Sequence, residues 1–266
     1  MAGGFTRGGA FRRGDVVVKP RDANALFRHQ LLDHLEAVGF EGAPRSRGYD
    51  EKEERFTFLE GHVAWSKKGE PEPDGVYGME SVLEAMHLIR RFHDAAAGHP
   101  IAAGCETVLH GDLGSQNTVY RRTGPCGLYR PFGFIDFMLA RPGDRMDDLA
   151  YAIHQYLALG YPENHKYEDV HPSCIRQCWD AYGLDDPTGL IDRMIALLRL
   201  TQTAGRGADV VPLMRPRPNW LRSHSIVAAC SLNGLELTRQ STRHLPRRGP
   251  IFRRTRIHQI PGLPRN

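Results

Sequence analysis

Near the start of the chain, the alternation of apolar and polar positions predicts two strands. Val16–Val18 is a β-branched run that ends at Lys19, and Pro20 cannot donate the next ladder hydrogen bond. Within residues 55–63, two phenylalanines alternate with polar neighbours until a Glu-Gly pair interrupts the pattern. Both segments have the composition of short, half-buried strands.

Two amphipathic helices accompany these strands. In the first, apolar residues recur at helical spacing, at Phe27, Leu31, Leu35 and Val38. Asp22 or Asn24 is a suitable N-cap for it, and Gly39 is a suitable end. In the second, the apolar stripe consists of Val82, Met86, Ile89 and His93. Ser81 and Glu84 have the spacing of a capping box, so we expect this helix to begin after Ser81.

A β-hairpin and further helices follow. The sequence VLHGDLGSQNTVY, residues 108–120, contains an apolar strand, a glycine turn and a second apolar segment. The segment GFIDF, residues 133–137, has the composition of a partner strand, and a Gly/Pro-rich link separates the two. Residues 147–159 and 188–202 then show helical periodicity. Strands with few helices followed by mostly helices predict an α+β protein with two unequal lobes.

The composition argues against secreted and membrane-spanning proteins. Residues 1–13 lack the apolar region of a signal peptide, and the most apolar helical window, residues 190–200, is interrupted by Arg193 and Arg199. Five cysteines without the spacing of a disulfide framework are typical of reduced thiols. We therefore expect a cytoplasmic protein without a membrane span, whose oligomeric state is left open.

Charge is distributed unevenly along the chain. From Thr201 onward there are twelve Arg, no Lys and two acidic residues, a net charge of +10, so residues 1–200 carry −6 of the overall +4. The same C-terminal stretch contains seven prolines and lacks helical periodicity, which is typical of extended or poorly folded chain. We interpret residues 207–266 as a basic Arg/Pro-rich tail that is disordered or is the aberrant product of a shifted reading frame.

Three oxygen-bearing side chains surround the predicted hairpin. Asp112 and Asn117 flank the loop before one strand, and Asp136 ends or follows the other, so the hairpin brings Asn117 and Asp136 close together. Two such ligands suit Mg²⁺, which completes its shell with water and substrate phosphates. A further carboxylate, Asp112, can accept a proton from an attacking hydroxyl. Phosphoryl transfer to an alcohol requires such a set, although His-Gly-Asp alone is also an ordinary β-turn.

These motifs resemble, in the same order, those of the aminoglycoside phosphotransferase and choline kinase group, which are relatives of the protein kinases. HGDLGSQN resembles the catalytic loop H-G-D-x-x-x-x-N, FIDF resembles the metal-binding strand, and GDRMDDLAYAI resembles the G-D-x-x-x-D-L-A element that follows. Upstream segments such as GGAFRRGDVVVKP and FTFLEGHV resemble bacterial members. The resemblance spans residues 3–206 and implies a protein-kinase-like fold with a small β-rich N-lobe and a mainly helical C-lobe.

The resemblance also implies roles for single residues. Asp112 would be the catalytic base, and Asn117 and Asp136 would hold Mg²⁺. Lys19 would contact the α- and β-phosphates of the nucleotide, ATP or GTP. The hinge against which adenine lies would consist of Phe58, Leu59 and Glu60. His110 would pack beneath the loop rather than react.

The implied domain organisation has three parts. Residues 1–62 would form the nucleotide-binding N-lobe with a truncated start, residues 63–206 the C-lobe with the catalytic loop and metal site, and residues 207–266 the tail. Asp148 would anchor either its own helix N-terminus or the catalytic loop. Kinases hold the strand lysine with a glutamate from the following helix. The matching segment here, NALFRHQ, contains no acid, so the acid partner of Lys19 is left open.

The expected function is an ATP- or GTP-dependent O-phosphotransferase that transfers the γ-phosphate to a hydroxyl of a small molecule. The acidic body favours, through electrostatic steering, a cationic acceptor such as an aminoglycoside or another cationic alcohol. A catalytically impaired, nucleotide-binding relative is the alternative, because the N-lobe is short and the tail diverges. Nucleic-acid binding through the +10 tail is less favoured, because no reader motif accompanies the charge.

Overall fold

The computed structural model of the protein describes residues 9–64, 72–124, 127–159 and 172–196. Our expectations for the glycine-rich start, residues 1–8, and for the tail, residues 207–266, lie outside these residues. The same holds for residues 197–202 of the helix predicted over residues 188–202.

Three antiparallel sheets form within the described residues. The first consists of β1 (Phe11–Arg13), β2 (Val16–Pro20), β3 (Ser46–Tyr49) and β4 (Glu53–Thr57), in the spatial order β1-β2-β4-β3. The second consists of β5 (His62–Val63), β7 (Thr118–Arg122) and β8 (Tyr129–Phe134), and the third pairs β6 (Thr107–Leu109) with β9 (Arg141–Gly143).

The helices are α1 (Ala25–Ala37), α2 (Met79–Ala96), α3 (Arg145–Tyr156) and α4 (Pro172–Tyr182), followed by helical residues 190–196. The first sheet with α1 forms a small β-rich lobe, and the later elements form a mainly helical lobe. The predicted two-lobed α+β fold is therefore confirmed. Among the described residues, no helix combines the length and apolar character needed to cross a membrane.

The first helix differs slightly from its prediction. Leu31 and Leu35 are buried as expected, but Val38 follows the last helical residue and is 51% exposed, because the chain turns away at Gly39. Asn24 occupies the N-cap position, yet its side chain does not cap the helix. Its amide instead donates to the carbonyl oxygen of Ala140 at 3.0 Å, which links the start of α1 to the helical lobe.

The second helix begins earlier than the capping-box spacing predicts. Its N-cap is Gly78, and Ser81 lies buried inside the first turn, so the predicted Ser81 cap is wrong. The reason is packing: Met79 contacts the hydrophobic core, and the first helical hydrogen bond runs from Val82 N–H to Gly78 O at 3.0 Å. The predicted apolar stripe is confirmed, because all four of its members are buried.

The predicted hairpin is confirmed as the pair β7 and β8, with Thr118 opposite Phe134. Asp136 follows β8 rather than lying within it. Its φ of +68° is in the left-handed region, which aspartate tolerates better than most residues. This turn redirects the chain into a short 3₁₀ segment, Phe137–Leu139, that leads to β9.

Candidate functional site

Asp148 fixes the loop that follows β6. Its two carboxylate oxygens accept hydrogen bonds from consecutive backbone N–H groups, Oδ2 from His110 at 2.6 Å and Oδ1 from Gly111 at 2.9 Å. Gly111 has a φ of +82°, and a Cβ atom there would lie 2.6 Å from the carbonyl oxygen of Leu139, so glycine is required. Of the two roles expected for Asp148, the structure shows anchoring of the loop.

The anchor is itself held from two other helices. Nε2 of His93, on α2, lies 3.2 Å from Asp148 Oδ2, and the hydroxyl of Tyr182, on α4, lies 2.7 Å from His93 Nδ1. Burial acts to raise the pKa of Asp148, but the hydrogen bond and charge of His93 and the N–H of His110 outweigh it, and the pKa lies below its ordinary value. Asp148 is therefore an ionised anchor.

His110 lies fully buried beneath the loop. Its Nε2 donates to the carbonyl oxygen of Ile135 at 3.0 Å, because a carbonyl oxygen can only accept. The unprotonated Nδ1 then accepts the backbone N–H of Asp112 at 3.3 Å. Burial lowers the pKa of His110, which favours this neutral ring. His110 thus packs beneath the loop, as the resemblance implied, and also holds it by hydrogen bonds.

Asp112 is held by one hydrogen bond on each carboxylate oxygen. Oδ1 accepts from the hydroxyl of Tyr151, on α3, and Oδ2 accepts from the amide of Asn117, both at 2.8 Å. Burial raises the pKa of Asp112, the two hydrogen bonds oppose this, and the charge of Asp136 adds to the rise. The net effect is a pKa above the ordinary value, which is a favourable direction for a general base working near neutral pH.

The hairpin brings Asn117 and Asp136 together. The backbone N–H of Ile135 donates to the carbonyl oxygen of Asn117 at 2.9 Å, and Asp136 is the next residue. The Asn117 amide nitrogen donates to both the backbone oxygen and Oδ2 of Asp112, at 2.8 Å each. Its Oδ1 is consequently left as the atom with which Asn117 can bind a cation.

Lys19 reaches this site from the other lobe. Its Nζ donates to Oδ1 of Asp136 at 2.8 Å, and both side chains are only partly exposed, at 19% and 29%. In this structure the acid partner of Lys19, which the sequence left open, is therefore Asp136. A residue of α1 does not take this position.

The proposed hinge lies between the first sheet and β5. Phe58 is half-buried beneath the guanidinium of Arg12, which lies 3.7 Å from the ring centroid. Leu59 is half-buried and Glu60 is exposed. A Cβ atom at Gly61 would lie 2.7 Å from the carbonyl oxygen of Tyr120, so the hinge runs close to β7. The adenine contact assigned to these residues stays a prediction.

The structure thus brings together four of the residues singled out in the sequence: Lys19, Asp112, Asn117 and Asp136. Tyr151 was missed. It lies three positions after Asp148 on the same helix face, so the residue one turn beyond the anchor contacts the next part of the loop. That spacing is the signal that could have identified it.

The donor set fits Mg²⁺. A carboxylate, Asp136, and an amide oxygen, from Asn117, are hard oxygen ligands, and Mg²⁺ in phosphoryl-transfer sites is held by one or two such groups together with substrate phosphates. Within the described part of the chain, no group of three or more His, Cys, Asp or Glu side chains could hold a metal ion. A site with two protein oxygen ligands would leave the remaining positions around Mg²⁺ to water and substrate phosphates.

Comparison with solved structures identifies the fold. An ethanolamine kinase of Plasmodium vivax superposes with a TM-score of 0.53 at 12% identity, covering 81% of this chain and 76% of that one. A macrolide 2′-phosphotransferase of Brachybacterium faecium gives 0.52 at 12% identity, covering 84% and 89%. An aminoglycoside phosphotransferase of Streptomyces rimosus, in complex with ADP and streptomycin, gives 0.50 at 15% identity, covering 70% and 86%. The chain has the protein-kinase-like fold of these proteins, as the resemblance implied.

Sequence comparison adds one relative. The trifolitoxin immunity protein of Rhizobium leguminosarum bv. trifolii is 29% identical over 218 residues, which covers 69% of this chain and 74% of that protein. No protein-family model matches the chain.

Proposed function

We propose that this protein is a Mg²⁺-dependent phosphotransferase that transfers the γ-phosphate of ATP or GTP to a hydroxyl group of a small molecule. The observation that carries the proposal is the environment of Asp112. Hydrogen bonds from Tyr151 and Asn117 orient its carboxylate. Burial raises its pKa, and the negative charge of Asp136 adds to this rise. A carboxylate that is fixed before substrate binds is what a general base requires.

In this proposal each residue has one task. Asp112 accepts the proton of the substrate hydroxyl while the acceptor oxygen forms a bond to the γ-phosphorus and the bond to the β-phosphate breaks. Lys19 breaks its ion pair with Asp136 and binds the nucleotide phosphates instead. Asn117, through Oδ1, and Asp136, through its carboxylate, would hold the cation. A bound Mg²⁺ would supply positive charge to the phosphoryl group being transferred.

Asp148 contributes by keeping the loop in place. Its bonds to two consecutive N–H groups position the backbone before Asp112, and the buried neutral His110 supports the loop from below. These groups need no movement during the reaction, which is a property of preorganised catalytic sites.

For the acceptor we propose a cationic alcohol, such as an aminoglycoside or an amino alcohol. The net charge of −6 over residues 1–200 would attract it. The similar proteins named above include one in complex with streptomycin, an ethanolamine kinase and a toxin immunity protein. We therefore propose toxic cationic alcohols as the first acceptors to examine.

The test is phosphate transfer by the purified protein from ATP or GTP to streptomycin, a macrolide and ethanolamine, followed by ³¹P NMR. We expect a new phosphate-ester signal with one acceptor, and a signal that grows far more slowly with Asp112→Asn. If the protein binds nucleotide but is catalytically impaired, Mg²⁺ and ATP will stabilise it against unfolding, but no ester will form with any acceptor. A protein that neither binds nucleotide nor transfers phosphate would refute the proposal.

A further inference from the structure

Arg28 is a buried cation on α1 with an unusual set of partners. Its side chain is 2% exposed, and its Nε and Nη2 donate to the two carboxylate oxygens of Glu54, on β4, at 2.9 and 2.7 Å. Glu54 is itself fully buried. Nη2 also donates to Asp22 at 2.7 Å. Arg28 therefore ties helix, sheet and the segment between β2 and α1 to one another.

The remaining nitrogen of Arg28 points to the other lobe. Nη1 lies 3.4 Å from the carbonyl oxygens of Phe137 and Met138, the two residues that follow Asp136. Asn24, at the end of the segment between β2 and α1, donates to the carbonyl oxygen of Ala140. The start of α1 thus contacts three backbone carbonyl groups of residues 136–140, a segment called the Asp136 turn below.

The charges are arranged in the reverse of the usual kinase pattern, in which the strand carries the lysine and the helix carries the acid. Here the helix carries the cation, and the acid Glu54 lies on β4 directly opposite Lys19. Lys19 holds the side chain of Asp136, while Arg28 approaches the backbone immediately after it. The Asp136 turn is therefore contacted by two cations from the small lobe.

We infer that Arg28, paired with Glu54, is a positioning residue that keeps the Asp136 turn in place for the cation when Lys19 moves from Asp136 to the nucleotide phosphates. The inference rests on the proposed function. Once Lys19 has moved, the hydrogen bonds of Asn24 and Arg28 are the described polar contacts between the start of α1 and this turn, and of the two residues only Arg28 is buried and charged. An outer partner of a metal ligand commonly changes metal affinity by about 10- to 100-fold when it is removed.

The experiment compares the affinity for ATP with and without Mg²⁺, measured by isothermal titration calorimetry on the full chain. The main variant is Arg28→Met/Glu54→Gln, because removing both charges leaves neither buried without a partner. The second is Arg28→Lys, which keeps the charge but cannot reproduce the fork-shaped hydrogen bonding. The control is Ile175→Ala, a buried position in α4 whose loss weakens packing without touching the turn.

We expect the enhancement of ATP affinity by Mg²⁺ to fall by at least about tenfold in the double variant, to fall less in Arg28→Lys, and to stay at the wild-type value in Ile175→Ala. If the double variant does not fold, the result for Arg28→Lys alone tests the inference. An unchanged enhancement in the Arg28 variants overturns the inference and leaves the proposed function standing. If the wild-type protein itself shows no enhancement by Mg²⁺, both are overturned.

Discussion

Lys19 and Asp136 form an ion pair, Nζ to Oδ1 at 2.8 Å, although 117 positions separate them along the chain. The pair joins the strand of the small lobe to the turn after β8. A lysine and an aspartate that are expected to bind phosphate and metal thus neutralise each other before ligand arrives. Nucleotide and cation together can replace this pair, since each offers one of the two side chains a partner of opposite charge.

Asp136→Asn is expected to abolish the stabilisation of the protein by Mg²⁺ and ATP. Asparagine tolerates the left-handed backbone at this position, whereas alanine would add strain. A ligand at 100 times its Kd stabilises a protein by about 2.7 kcal/mol, which corresponds to a rise of about 5–10 °C in Tm for a domain of this size. Thermal unfolding with and without both ligands measures the effect.

The matched control for this substitution is Asp180→Asn, which removes a carboxylate from the exposed face of α4. It should keep the full ligand-induced rise. A rise of wild-type size in Asp136→Asn would contradict the assignment of Asp136 as a metal ligand.

Asp112→Asn is expected to lower kcat by about 10²- to 10⁴-fold, the usual contribution of a general base. The amide has the shape of the carboxylate: its single oxygen can still accept from Asn117, and its NH₂ group can donate to the Tyr151 hydroxyl, so nucleotide affinity should be unchanged. Steady-state kinetics with the acceptor found by ³¹P NMR, together with calorimetric binding of ATP, separates the two effects. A kcat within tenfold of wild type would exclude Asp112 as the base.

Much of the fold could be predicted from local patterns. β2, the apolar stripe of α2 and the hairpin β7–β8 each depend on residues that are neighbours in sequence, so periodicity and turn chemistry identify them. The start of α2 could not be predicted this way. Ser81 has good capping chemistry, but the packing of the partly buried Met79 against the core extends the helix, and tertiary packing outweighs local propensity.

The candidate site likewise has a part that the local sequence predicts and a part that it does not. Asp112, Asn117 and Asp136 are identified by one loop and one hairpin. The ion pairs of Lys19 with Asp136 and of Arg28 with Glu54 join distant segments, and no periodic pattern in the sequence specifies which charges meet. Both pairs depend on the packing of α1 and the first sheet against the Asp136 turn, which only the three-dimensional structure shows.

Tyr151→Phe is expected to move the acidic limb of the pH–rate profile to higher pH. The tyrosine hydroxyl stabilises the charged form of Asp112, so its loss raises further a pKa that burial has already raised. The base works only as the carboxylate, and activity therefore falls as pH drops through this higher pKa. A hydrogen bond to a charged group is worth about 1.5–3 kcal/mol, so the shift should be about one pH unit or somewhat more.

The measurement for this prediction is kcat/KM between pH 5 and 9. Tyr49→Phe, on β3, is the control and should retain the wild-type limb. If the acidic limbs of the Tyr151→Phe and wild-type profiles coincide, Asp112 does not control the acidic side of the profile.

Asp148 is expected to make the protein sensitive to acid. Its pKa in the folded state lies below the unfolded value of about 3.9. The corresponding stability is fully present above pH 3.9 and is lost as pH falls through the folded pKa. At pH 7, Asp148→Asn replaces a buried carboxylate that accepts from two loop N–H groups and from His93 by an amide with one acceptor oxygen, and it should lower the free energy of unfolding by about 1.5–3 kcal/mol.

Below pH 4 the difference between wild type and Asp148→Asn should shrink, because the wild-type carboxylate becomes protonated and loses the same interactions. Urea unfolding at pH 7, 5, 4 and 3 measures it, with Asp180→Asn as an exposed control that should stay within about 0.5 kcal/mol of wild type. A difference that does not change with pH would show that Asp148 stabilises the loop by its shape alone. The ionised anchor inferred from its bonds to His110 and Gly111 would then be incorrect.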